Sequence, residues 1–267
     1  MLMKTFKYII LKVLCISLLF NCSKSDDDTF KNTRSLQDAI NDFSLLTFNS
    51  GVNDMEIEGS FSNVYWRFRV IIPESASETN KRPLIICLHG GTSIIDPDIH
   101  KNTACLEEPG LASIDAILLC PNSEGFSWGG LPEQEKILTL TDLVKTNLPV
   151  DENKVAIMGY SDGGNGAWFY AERYPNRFSA AIPMSSSYNT LNPELINVKI
   201  DIPLYVIHGE KDELFPLETM ITVVDNYKNI GTDVELYVAD DLGHFNTCLY
   251  VPYLNQAATW LENEVWN

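Results

Sequence analysis

Residues 159–163 read Gly-Tyr-Ser-Asp-Gly, between the apolar run Val155-Ala156-Ile157-Met158 and Gly164-Asn165-Gly166-Ala167-Trp168-Phe169, which opens a helix. A G-x-S-x-G stretch in a strand–turn–helix context holds its serine on a sharp elbow at the top of a sheet. The elbow has no room for side chains two positions either side of the serine. Gly159 and Gly163 leave that room, so Ser161 is the candidate nucleophile. A serine hydroxyl is a weak nucleophile at neutral pH and needs a base within hydrogen-bond reach. His244, in Asp241-Leu242-Gly243-His244-Phe245, follows the last strand-like run and can take that role. The acid that orients it should sit at another strand end, and Asp212, between Ile207-His208-Gly209 and Phe215-Pro216, does so. Asp240 and Asp241 lie too near His244 to reach around it, while Glu210 and Glu213 remain rivals to Asp212. His208 is expected to bond backbone and His100, in a polar stretch, to face solvent.

Beyond Pro83 short buried runs alternate with helical stretches. The runs are Leu84–Leu88, Ala116–Cys120, Val155–Met158, Ala180–Met184, Leu204–Ile207 and Val234–Val238. Strands apolar on both faces and separated by helices imply a mostly parallel sheet with helices on both faces. Ile137, Leu140, Val144 and Leu148 share one helical face; further helices are expected over Pro216–Ile230 and Pro252–Glu264. Upstream, Met55–Phe61 and Val64–Ile72 read as an antiparallel hairpin with Trp66, Phe68 and Val70 on its inner face, which brings the sheet to eight strands. Ser35 to Asp38 has capping-box character ahead of a helix carrying Leu36, Ala39, Ile40 and Phe43. The segment Ser185–Pro203, about 19 residues, is too short for a large cap domain.

The first 21 residues hold Lys4, Lys7 and Lys12, then an apolar stretch from Val13 to Phe20 too short to span a bilayer. Leu18-Leu19-Phe20-Asn21-Cys22 resembles a bacterial lipoprotein signal, with Cys22 as the lipidated residue. Residues 1–21 are thus expected to be a signal peptide and residues 22–34 an acidic tether, leaving 35–267 as the catalytic domain. The expected location is an outer-membrane lipoprotein, surface-exposed or facing the periplasm, held to the membrane through lipid on Cys22. The formal charge is −17; without the three leader lysines, 16 basic side chains stand against 36 acidic ones. Such a surface repels nucleic-acid backbones, so no nucleic-acid partner is expected. No C-x-x-C occurs and no metal site is expected. Cys87 reads as a small core residue, and one disulfide is open among Cys105, Cys120 and Cys248.

A tetrahedral intermediate needs two N–H donors aimed at its oxyanion. One candidate is the backbone N–H of Asp162; the other comes from Leu88-His89-Gly90-Gly91-Thr92, with Gly91 preferred over Thr92 and His89 bracing the loop. Phe126 and Trp128, in a polar Gly-rich loop on the same rim, and Thr92 are candidate substrate contacts. Trp168 is expected to pack against the sheet.

From about residue 55 onward the chain resembles the α/β-hydrolase superfamily, most closely its single-domain secreted esterases, a group including feruloyl and acetylxylan esterases, polyhydroxybutyrate depolymerases and proteins labelled predicted peptidases. The segments that carry the likeness are Leu88–Gly91, Gly159–Gly164, Arg173-Tyr174-Pro175-Asn176-Arg177-Phe178, His208–Asp212 and Gly243-His244. The resemblance implies hydrolysis of carboxylic esters, acetyl or feruloyl groups on carbohydrate or a similar bulky substrate, through an acyl-enzyme and without a cofactor. A peptidase related to the prolyl oligopeptidase catalytic domain is the alternative, although the chain has no room for a propeller. A non-catalytic binding lipoprotein is a third reading, which a broken triad would have signalled.

Overall fold

The structure is a computed structural model, and it describes residues 34–92, 94–123, 127–190 and 196–267. The expectations for the leader, for residues 22–33 of the tether, for Cys22 and for Phe126 fall outside these residues; Arg34, the last residue of the expected tether, pairs with Asp42 and donates to the Glu58 carbonyl. Residues 33–267 form one compact unit. No helix among the described residues is long and apolar enough to cross a membrane.

Among the described residues eight strands make one sheet in the order β1-β2-β4-β3-β5-β6-β7-β8. They are β1 (Gly51–Glu58), β2 (Tyr65–Ile72), β3 (Arg82–Leu88), β4 (Ile117–Pro121), β5 (Val150–Tyr160), β6 (Ala180–Met184), β7 (Leu204–Gly209) and β8 (Val234–Ala239). β2 runs antiparallel to both β1 and β4, and every other pair is parallel. The hairpin begins at Gly51, four residues before the sequence pattern suggests, and its register sets Ile57 opposite Trp66 and Met55 opposite Phe68. As expected from period-two alternation, Trp66, Phe68 and Val70 are buried.

The central strands are buried on both faces because helices cover both. Along β3, Leu84, Ile86 and Leu88 pack with α1 (Leu36–Ser44), α3 (Leu131–Asn147), α4 (Asp162–Arg173) and α5 (Leu217–Asn229). Ile85 and Cys87 face α2 (Glu107–Leu111) and α6 (Val251–Trp260). α1 starts on a complete capping box, in which Ser35 Oγ accepts from the Asp38 N–H and the Asp38 carboxylate accepts from the Ser35 N–H. α3 buries Ile137, Leu140, Leu143 and Val144, each contributing about 1.5–3 kcal/mol by leaving water. Leu148, expected on the same face, lies just past the helix end.

Two expectations are settled by packing across the chain. Cys105 and Cys248 form the disulfide, while Cys87 and Cys120 are buried free thiols on neighbouring strands of the core. His100 does not face solvent. A helical turn over Ile99–Lys101 folds it inward to 3% exposure, and burial pushes its imidazole down to about 4. The polar composition around His100 hid this, because the turn is held by Arg69 of β2, which donates to the Lys101 carbonyl.

Candidate active site

β5 delivers Ser161 directly from a central strand, and α4 begins at the next residue. Ser161 adopts φ 56°, ψ −118°, a left-handed conformation that L-residues occupy only under constraint. The constraint is visible in its flanking glycines: a Cβ on Gly159 would lie 2.1 Å from the Gly163 carbonyl oxygen, and one on Gly163 would lie 1.9 Å from that of Leu88. The Ser161 N–H is held by the Met184 carbonyl of β6 at 2.9 Å.

The loop after β8 brings His244 over this elbow, with Nε2 2.9 Å from Ser161 Oγ. On the other side of the ring, Nδ1 lies 3.0 and 2.9 Å from the two carboxylate oxygens of Asp212. Asp212 Oδ1 also accepts the Leu214 and Phe215 N–H groups at 3.0 and 2.8 Å. Burial alone would raise the Asp212 carboxyl, but the bonds from His244 and the Phe215 N–H outweigh it and hold it below the usual carboxylate range. An ionised Asp212 accepts the proton on Nδ1, which leaves Nε2 as the lone-pair nitrogen facing the serine.

The backbone of His244 is gripped from two sides. Tyr160 donates its hydroxyl to the His244 carbonyl at 2.5 Å, and Glu213 accepts the His244 N–H at 2.8 Å. These two positioning residues were not legible in the sequence; Glu213 appeared only as a rival acid, and Tyr160 as the variable position of the pentapeptide. His208 donates through Nε2 to the Phe215 carbonyl at 2.7 Å, as its strand-end position suggested, and steadies the Asp212 loop. Of the other rivals, Asp241 pairs with Lys211 at the surface, while Glu210 accepts the Asp241 N–H at 2.9 Å.

His89 organises the opposite wall. Its Nε2 accepts the Ser123 N–H at 2.9 Å, so Nδ1 carries the hydrogen and donates to the Gly90 carbonyl at 2.7 Å. Burial lowers the imidazole's affinity for a proton, which keeps this neutral tautomer. With the Gly90 carbonyl turned to His89, the trans peptide points the Gly91 N–H the opposite way. Gly91 packs on Asp162, since a Cβ there would lie 2.1 Å from Asp162 Oδ2. Neither the Gly91 nor the Asp162 N–H has an acceptor among the described residues.

Next to these groups opens a cavity of about 510 Å³ lined by Gly90, Gly91, Thr92, Trp128, Asp162 and Asn165, with serine and aromatic side chains completing its wall. Ser161 and His244 do not line it themselves; Gly90 and Asp162 connect it to them. Trp128, a sequence candidate for substrate contact, is 3% exposed and donates its indole N–H to the His89 carbonyl at 3.1 Å. It is both a cavity wall and a brace for the His89 loop. Thr92 is exposed and donates its hydroxyl to the Ile94 carbonyl. Trp168 is fully buried and stacks on Tyr188.

A serine on a strand–helix elbow, above a mostly parallel eight-stranded sheet and hydrogen-bonded through histidine to an aspartate from a later strand end, is the arrangement of the α/β-hydrolase fold, which this chain adopts. Comparison with known proteins narrows the likeness. Residues 132–264 match the dienelactone hydrolase family. Fluorophosphonate-binding serine hydrolase F of Staphylococcus aureus superposes with a TM-score of 0.65 at 19% identity, covering 81% of this chain and 100% of that one. A ferulic acid esterase superposes with a TM-score of 0.63 at 22% identity, over 80% of this chain and 98% of its own. An "Uncharacterized secreted protein" of Arthroderma benhamiae is 23% identical over 186 residues, 64% of this chain. The aligned part is 19% of that relative's length. At these identities the structural likeness establishes the fold.

Proposed function

We propose that this protein is a serine esterase that cleaves carboxylic esters through an acyl-enzyme. The observation that carries the reading is the continuous chain from Ser161 Oγ to His244 Nε2 and from Nδ1 to a carboxylate pinned by two backbone N–H groups. His244 takes the Ser161 proton as Oγ attacks the ester carbonyl, then returns it to the leaving alcohol. Asp212 fixes the tautomer and stabilises the imidazolium that forms between the two transfers. The Gly91 and Asp162 N–H groups serve the oxyanion; the Asp162 donor also heads α4, whose dipole favours negative charge at that end. Water activated by His244 then releases the acid, and no step calls for a cofactor. The substrate class we favour is an acetyl or feruloyl ester of carbohydrate or a comparably bulky alcohol. Ser187, Tyr188 and Asn189 line the cavity from a stretch, 185–190, without helix or strand, which supports access for such a substrate. Lipid attachment at Cys22 and an outer-membrane location are part of the same proposal.

The test is a panel of acetyl, feruloyl and longer acyl esters beside a prolyl-peptide anilide, run with wild type and Ser161→Ala. Ester turnover that vanishes in the folded variant supports the reading; turnover of the anilide alone would replace it with a peptidase.

A further inference from the structure

The side chain of Asp162 is distinct in its task from the backbone N–H that the same residue offers the oxyanion. It is exposed, lies against Gly91 at the mouth of the cavity, and accepts no hydrogen bond and forms no ion pair among the described residues. Among the described residues it is the one charge in the cavity lining, which includes no lysine or arginine; His89, the histidine of that lining, is held neutral by burial. One turn further along α4, at the i+3 position and so on the same helix face, stands Asn165. Its Oδ1 accepts the Ser187 N–H at 2.9 Å, which fixes the amide orientation and leaves both hydrogens of Nδ2 without a partner among the described residues.

A pair of acceptor oxygens free of partners among the described residues and a fixed pair of N–H donors thus sit one helical turn apart at the cavity beside the nucleophile. We propose that Asp162 and Asn165 form a specificity subsite for an uncharged, polyhydroxylated group, a sugar, joined to the scissile ester. Sugar hydroxyls donate to the Asp162 carboxylate and accept from Asn165 Nδ2, which is the complementarity a vicinal diol offers. A substrate carrying a carboxylate at this place meets a like charge that no cation among the lining residues offsets, and is disfavoured. Trp128, Phe169 and Tyr188 in the wall supply the apolar faces against which the carbon side of a sugar ring packs. The subsite rests on the esterase reading for its place in turnover, but binding tests it separately.

The experiment uses the Ser161→Ala protein, which holds intact ester, and titrates it with acetylated xylose and with a carboxylate-bearing acetyl ester. Matched proteins carry Asp162→Asn or Asn165→Asp in addition; the second keeps an acceptor for the Ser187 N–H and exchanges donors for an acceptor. Wild-type turnover of the same two esters and of nitrophenyl acetate is measured in parallel. The expected result is sugar-ester binding that weakens about tenfold or more in each double variant. Asp162→Asn should improve binding of the carboxylate ester by a similar factor, and Asn165→Asp should weaken it further. Equal affinity of the three proteins for the sugar ester, or no measurable sugar binding at all, overturns the subsite. Sugar binding that responds to both substitutions, without turnover of any ester by wild type, upholds the subsite and overturns the esterase reading.

Discussion

Replacing Asp212 by Asn tests the tautomer argument, because the surroundings of this side chain dictate which way the amide must face. Oδ1 receives the Leu214 and Phe215 N–H groups at 3.0 and 2.8 Å, so the asparagine oxygen is held there. Its NH2 then takes the place of Oδ2, 2.9 Å from His244 Nδ1, and sets a donor against the ring, while the oxygen kept at 3.0 Å is already shared by two backbone N–H groups. His244 responds by carrying its hydrogen on Nε2, where it can no longer accept the Ser161 proton. The equivalent change in a trypsin-type triad costs about 10⁴ in kcat with the geometry intact, or about 5 kcal/mol of barrier. The same loss is expected here in kcat for a short-chain nitrophenyl ester, with KM nearly unchanged. The variant is nearly isosteric and keeps both backbone bonds, so a thermal melt close to that of wild type separates chemistry from folding. A folded variant that loses less than about tenfold would refute the reasoning and move the acid to Glu213.

Glu213→Gln keeps an acceptor for the His244 N–H and should cost under about tenfold in kcat, whereas Glu213→Ala should cost more; equal effects would deny it a positioning role. Gly163→Ala forces a Cβ to within 1.9 Å of backbone and should lower stability by about 3 kcal/mol or more in urea unfolding. Reducing the Cys105–Cys248 bond, which closes a loop of 143 residues next to the His244 loop, should lower stability by about 2–5 kcal/mol, seen as a fall in Tm with dithiothreitol that the Cys105→Ser protein does not show. Two buried groups set opposing pH dependences. His100, pushed down from 6.5 to about 4, gives stability that is full above pH 6.5 and lost as pH falls toward 4; Glu107, pushed up from 4.5 to about 7, costs stability as pH rises from 4.5 to 7. In urea titrations, Glu107→Gln should therefore gain on wild type by about 2–3 kcal/mol more at pH 8 than at pH 5, and His100→Gln should gain by about 2 kcal/mol more at pH 5 than at pH 8. Offsets independent of pH would refute both assignments.

What could be read from the residues alone was whatever depends on short-range order. The elbow is legible because the steric demand on Gly159 and Gly163 falls within five consecutive residues, and the strands are legible because burial on both faces leaves unbroken apolar runs such as Leu84–Leu88. The order Ser161, Asp212, His244 followed from which runs end in loops. Tertiary structure decided the rest, because each remaining choice turns on groups far apart in the chain. Asp212 prevails over Glu213 through the N–H groups of Leu214 and Phe215 and the closeness of β7 to β8. Cys248 pairs with Cys105 because α2 packs on α6, while Cys120 is locked inside β4. The turn that buries His100 is held by an arginine from β2, and Tyr160 reaches the His244 carbonyl across 84 positions of sequence. The polar cavity beside the nucleophile exists only once the loops after β3, β4 and β6 meet the first turn of α4. Periodicity records which face of an element is apolar; it carries no record of which distant polar group will satisfy a buried one.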